Sequence, residues 1–235
     1  MRNTINNLLV IVFVLIGFQS FAHNIWIETP GKGKMGQEHT AKIFLGGYGE
    51  NERDSTNNWF SNTADVVVWL TAPDGTQKQL TKTAAGNCFA ATFTPSADGV
   101  YTLSLKHEVA EIYGTTKYIY YAAAKVQVGA VTTNSKDWAS FSDFAVQTNV
   151  KGKEVKVKAL YKNQLATTAT AAVGSPSGWN RQVELKSGEG SVEALWNGLY
   201  VFETFYKEKA SGNWNGKEYT NVMHIATYDT EVFNK

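Results

Sequence analysis

Segment after segment of this 235-residue chain alternates apolar and polar residues one for one, and a turn closes each segment. Side chains two apart share a face only in extended backbone, so this period commits the chain to half-buried β-strands. Residues 100–107 are the clearest case. Tyr101, Leu103, Leu105 and His107 take one face, and Thr102, Ser104 and Lys106 take the other. Residues 154–160 repeat the pattern, with Val155, Val157 and Ala159 set against Lys156 and Lys158. Val, Thr, Tyr, Phe and Trp fill the apolar positions, as a pleated surface favours. Only 137–146, through Trp138, Phe141, Phe144 and Ala145, approaches a helical spacing, and that stretch is short. The fold class expected is all-β.

Turn residues divide the strands into two sets. Segments 23–28, 39–45, 65–71, 89–93, 100–107 and 118–128 are separated by breaks such as Ala72-Pro-Asp-Gly75 and Ser96-Ala-Asp-Gly99. They predict an immunoglobulin-like β-sandwich over 23–128. Weak patterning around Thr132-Thr-Asn-Ser-Lys-Asp137 marks 129–147 as a junction. A second, smaller β-sandwich is expected over 148–235. No internal repeat period is visible.

The amino terminus reads as an export signal. Arg2 precedes an apolar run at 8–18, and Ser20-Phe21-Ala22 places small side chains before a cut that frees His23. The run is shorter than the roughly 20 apolar residues of a membrane span, so no stable insertion is expected after processing. Loss of Arg2 leaves cations and anions equal in number, which argues against nucleic acid as a partner. Cys88 is the single cysteine, so neither an intrachain disulfide nor a lipid anchor at the cut is available. A periplasmic or secreted location follows.

The cut also creates chemistry. A new α-amine on His23, with a pKa near 8, and the imidazole of the same residue can close a chelate on one metal ion. Copper(II) and nickel(II) favour such nitrogen-rich sites. A second histidine would complete a three-nitrogen set; His224 on the last strand is the preferred partner, followed by His107 and His39. Met35 and Met223 offer softer thioethers, although methionine more often fills core gaps. In the glycine-rich loop 46–54, Glu50, Glu52 and Asp54 supply oxygens for a cation or a basic partner; the plainer reading is a solvated hairpin loop. Trp179, Trp196 and Trp214, with Tyr113, Tyr118, Tyr120 and Tyr121, are core residues if buried and sugar-stacking surfaces if exposed. No Gly-x-Ser-x-Gly elbow or paired acids appear, and Cys88 reads as a packed hydrophobe. A non-enzymatic protein is expected.

Several of these stretches resemble the DUF4198 family of exported bacterial proteins. They are Ala22-His23-Asn-Ile-Trp-Ile-Glu28, Gly46-Gly-Tyr-Gly-Glu-Asn-Glu-Arg-Asp54, Trp69-Leu-Thr-Ala-Pro-Asp-Gly75, Gly99-Val-Tyr-Thr-Leu103, Gly114-Thr-Thr-Lys-Tyr118 and Gly198-Leu-Tyr200. The resemblance implies capture or delivery of nickel or cobalt at the cell envelope, with His23 at the matching position. With copper added from the chelate chemistry, the expected role is metal uptake or homeostasis, with a membrane transporter as receiving partner. The second half is similar to transthyretin-like and carboxypeptidase-regulatory-like sandwiches. Relatives carry a Gly-His pair where this chain has Gly47-Tyr48. The rival expectation is an envelope module that recognises glycans or a surface protein.

Overall fold

The computed structural model describes residues 23–130, 138–140 and 142–233. The expected signal segment and part of the expected junction lie outside them. The described residues form strands β1 (Asn24–Glu28), β2 (Lys32–Gly33), β3 (His39–Gly46), β4 (Val68–Thr71), β5 (Gln77–Leu80), β6 (Lys82–Ala84), β7 (Phe89–Phe93), β8 (Gly99–Glu108) and β9 (Thr116–Val128). The second half adds β10 (Phe144–Lys151), β11 (Glu154–Tyr161), β12 (Gln164–Leu165), β13 (Thr170–Gly174), β14 (Asn180–Val183), β15 (Glu189–Glu193), β16 (Gly198–Glu208), β17 (Gly212–Trp214), β18 (Lys217–Tyr219) and β19 (Asn221–Val232). The near-helical stretch yields one 3₁₀ turn, Trp138–Ser140, and then strand β10. Trp138 is buried there, and its indole N–H donates to the Val146 carbonyl at 3.0 Å. No helix among the described residues is long and apolar enough to cross a membrane.

The all-β sandwich character expected from the sequence is what the chain adopts. The two halves, however, share a sheet. A long central sheet runs β14-β13-β16-β19-β9-β8-β4-β5, with β2 added along β9. Strands β9 and β19 pair in parallel from Thr116 and Asn221 to Ala123 and Tyr228, joining the halves edge to edge. Sheet β1-β3-β7-β6 covers one face of this layer, and β10-β11-β12 with β15 covers the other.

Strand β9 makes the sharing possible. Ile119, Tyr121 and Ala123 enter the core of the second half; Tyr120, Ala122, Ala124, Val126 and Val128 enter the core of the first. A strand covered on both faces reads as a continuous apolar run rather than an alternating one, and 118–124 is such a run. Strand β19 divides similarly, with Ala226 and Tyr228 on one side and Ile225 on the other.

One local device occurs in each half. Gly99 and Gly198 have φ of 131° and 132°, and each is followed two residues on by a buried tyrosine. The Tyr200 hydroxyl accepts from the Trp196 N–H and donates to the Trp196 carbonyl, both at 3.0 Å. Tyr101 binds Ala97 in the same way. Phenylalanine at Tyr200 leaves a backbone pair without its partner, so Tyr200→Phe is expected to cost about 1–3 kcal/mol in urea unfolding.

Candidate functional site at the amino-terminal strand

Strand β1 divides its side chains by parity. Ile25 and Ile27 enter the first core, while Trp26 packs on the opposite side with Phe44, Cys88 and Val201. Trp26 stacks on Phe44 at 5.3 Å and meets the edge of Tyr48 at 6.0 Å. The Arg53 guanidinium lies 5.1–5.7 Å from the centres of all three rings, a cation–π arrangement. Its Nη2 also binds Glu28 Oε1 at 2.9 Å, and that oxygen accepts from the Trp26 indole at the same distance.

These contacts clamp loop 46–54 onto β1, so the solvated hairpin expected from its composition is not what forms. At Gly46 (φ 144°) a Cβ would come 2.4 Å from the Glu52 carbonyl, which limits the position to glycine. Tyr48 donates its hydroxyl to the Leu199 carbonyl at 2.8 Å, and burial pushes its pKa up to about 12. Glu50 accepts from the Asn180 amide. Glu52 stays exposed. Asp54 is held through its backbone: its N–H donates to Leu45 at 2.9 Å, and its carbonyl accepts from the Trp59 indole at 3.3 Å.

The clamp sets Asp54 against His23. His23 Nδ1 and Asp54 Oδ2 lie 3.1 Å apart, with side chains 30% and 28% exposed. Two residues singled out in the sequence, His23 and Asp54 of the acidic loop, therefore meet at one point. Arg53 is the residue that sequence reasoning overlooked. Its only signal was a cation between acids in a glycine-rich loop, with Trp26 and Glu28 two apart on one strand.

The other histidines do not join this pair. His224 is buried on β19, its Nε2 3.1 Å from Glu208 and its Nδ1 3.2 Å from the Tyr121 hydroxyl. Rings of Tyr121, Phe144, Tyr161 and Tyr206 surround it at 5.1–6.1 Å. It faces the second-half layer, whereas the His23 carbonyl accepts from Tyr120 on the opposite face of β9. The central sheet separates them. His107 is buried at Nε2···Oδ1 3.1 Å from Asn62. His39 is buried 2.8 Å from the Thr29 hydroxyl, at the end of β3 remote from Gly46, which pairs with Asn24. Among the described residues no group of three or more His, Cys, Asp or Glu side chains is placed to hold a metal, so the expected convergence of His224, His107 or His39 on His23 does not occur.

Burial lowers the pKa of His39, His107 and His224. Each is neutral in the fold and takes up a proton more readily when unfolded, where its pKa is about 6.5. The three histidines therefore contribute stability that is lost as pH drops below about 6.5, an effect that buried acids oppose over part of the same range. Urea midpoints of parent and His224→Gln from pH 7.5 to 5 test this: the parent should lose stability relative to the variant as pH falls.

The remaining candidates are structural or exposed. Burial raises the Cys88 thiol pKa, which leaves it a poor nucleophile. Met35 is exposed, and Met223 packs against the first core. The Trp214 indole donates to Val109 at 2.9 Å beneath the Lys117 ammonium. Tyr120 and Tyr121 are buried, and burial raises the pKa of both hydroxyls.

The chain matches no family model and no curated protein. Among solved structures, a mutant of Salmonella alpha-2-macroglobulin aligns over 88% of this chain at 11% identity and a TM-score of 0.31. This chain spans 15% of that protein's length. A likeness this loose carries no argument about function.

Proposed function

We propose that the protein captures a divalent transition metal of the copper, nickel or cobalt class at the cell envelope for delivery to an uptake transporter. The ligands would be the α-amine and Nδ1 of His23, once the chain is cut after Ala22, with Asp54 as third donor. The carrying observation is the 3.1 Å approach of His23 Nδ1 to Asp54 Oδ2 at a partly exposed position. Metal–nitrogen and metal–oxygen bonds near 2.0–2.2 Å at right angles place neighbouring donors about 3 Å apart. The observed spacing fits that bite. Nδ1 is also the ring nitrogen nearer its own backbone, so it and the amine can grip the same ion.

The donor set of two nitrogens and one carboxylate suits these metals. Asp54 is fixed by Leu45, Trp59 and the adjacent Arg53 clamp, so little ordering is needed on binding. Protons compete for the amine and the imidazole, and affinity should fall from pH 8 to pH 5.

Calorimetry with copper(II) and nickel(II) on protein beginning at His23 tests the reading. One extra residue before His23 removes the free amine and should weaken binding by at least about 100-fold; Asp54→Ala should weaken it about 10- to 100-fold. His224→Gln should leave affinity unchanged. Equal affinity in the extended protein would reject the chelate, as would an exported protein that starts elsewhere than His23.

A further inference from the structure

Four of the seven tryptophans, Trp26, Trp59, Trp138 and Trp214, donate their indole N–H to an acceptor inside the protein. Among the described residues, Trp179 and Trp196 have no such acceptor, and they lie together. Their ring centres are 6.0 Å apart and tilted by 60°, on two neighbouring turns of the second half. Trp196 is 39% exposed, and Leu195 beside it is 50% exposed. An exposed indole with a free N–H offers an apolar face and a polar edge to one ligand.

The surroundings are polar and tied to neighbouring segments. The Arg181 guanidinium carbon lies 5.0 Å from the Trp179 ring centre, so the stack holds a planar fork of donors beside the corner made by the two indoles. Next to it opens a groove of about 410 Å³ lined by Lys153, Glu154, Arg181, Ser191, Val192 and Glu193. Its two cations and two anions cancel. A groove with no net charge has no preference for a polyanion, but its mixed donors and acceptors suit a dense array of hydroxyls. Loop 46–54 braces the corner from behind through Tyr48 to Leu199 and Glu50 to Asn180. Tyr200 ties down the Trp196 backbone.

We propose that Trp196, Trp179 and Arg181 form a binding site for an uncharged glycan chain. One pyranose ring rests its apolar face on Trp196 against the edge of Trp179, the Arg181 fork donates to its hydroxyls, and the chain continues into the groove. The site is separate from the His23–Asp54 pair and needs no metal.

Affinity electrophoresis of the full processed chain, in gels containing EDTA and either xyloglucan, galactomannan, hydroxyethyl cellulose or glycogen, tests it. At least one of these neutral polysaccharides should retard the protein. Trp196→Ala should weaken the interaction tenfold or more, and Arg181→Ala should weaken it less. Trp69→Ala should match the parent, because that exposed indole lines a different cavity with Lys106 and Asp143. The hydrogen bonds from Tyr200 go to the Trp196 backbone, so the alanine variant keeps its turn; near-ultraviolet circular dichroism verifies this. No retardation by any of the four, unaltered retardation of Trp196→Ala, or stronger retardation by heparin than by every neutral polymer would each overturn the proposal. With EDTA present, failure of the metal reading leaves the result unaffected.

Discussion

Alanine at Phe202 should cost about 3–5 kcal/mol, and alanine at Leu103 about 2–5 kcal/mol, and both should shift one and the same unfolding transition. Both side chains are fully buried, but in different cores: Phe202 in the second-half cluster and Leu103 in the first. Separate domains would unfold independently, and each substitution would then move its own transition. The shared sheet argues otherwise. Phe202 pairs in register with Tyr228 on β19, and Leu103 with Ala124 on β9. Strands β9 and β19 are hydrogen-bonded neighbours, and each contributes side chains to both cores. Melting the layer over one face of β9 would expose Ile119 and Tyr121 while leaving the strand to support the other layer alone. Scanning calorimetry should show a single peak for the parent, displaced downward in both variants. Two peaks, with Leu103→Ala moving only one, would show that the halves unfold separately.

Which parts of this arrangement can be read from the sequence follows from the range of each contact. Alternation along β8 and β11 is local, so the strands and their inward faces are legible there, including His107 on the apolar side. Pairing between β9 and β19 spans about a hundred residues, and no local pattern encodes it. The apolar run Ile119–Ala124 was nevertheless a sign: an outer strand of an isolated sandwich should alternate, and this one does not. His224 is opaque for a related reason. With Val222 on one face and Ile225 on the other, a doubly buried strand gives no parity from which to choose its side. At the candidate site, His23 and the acids of loop 46–54 stood out separately. Their meeting depends on the backbone freedom of Gly46 and on Arg53 lying over Trp26, Phe44 and Tyr48.

Asparagine at Asp229 should raise stability at neutral pH, with little effect near pH 4. Asp229 is buried on β19, paired in register with Val201. Burial first, then the charges of Glu231 and Glu28, hold its carboxyl pKa well above the usual range. The folded protein therefore keeps a proton that the unfolded chain releases above about pH 3.9. Unfolding sheds this proton, so stability declines as pH rises from 4, at up to about 1.4 kcal/mol per pH unit, until the native carboxyl ionises. Asparagine has the shape of the protonated acid and nothing to ionise, so it removes the slope. Glu203, pushed up to about 7 mainly by burial, adds a decline of the same sign between its unfolded value and pH 7. The buried histidines act in the opposite direction over the overlapping range below about pH 6.5, so the parent's own profile is a balance of the two, and the difference between parent and variant isolates Asp229. Urea denaturation of parent and Asp229→Asn at pH 4, 5.5, 7 and 8 decides the matter. The gap between them must widen with pH, and a gap that stays constant would mean that Asp229 carries the same charge in both states.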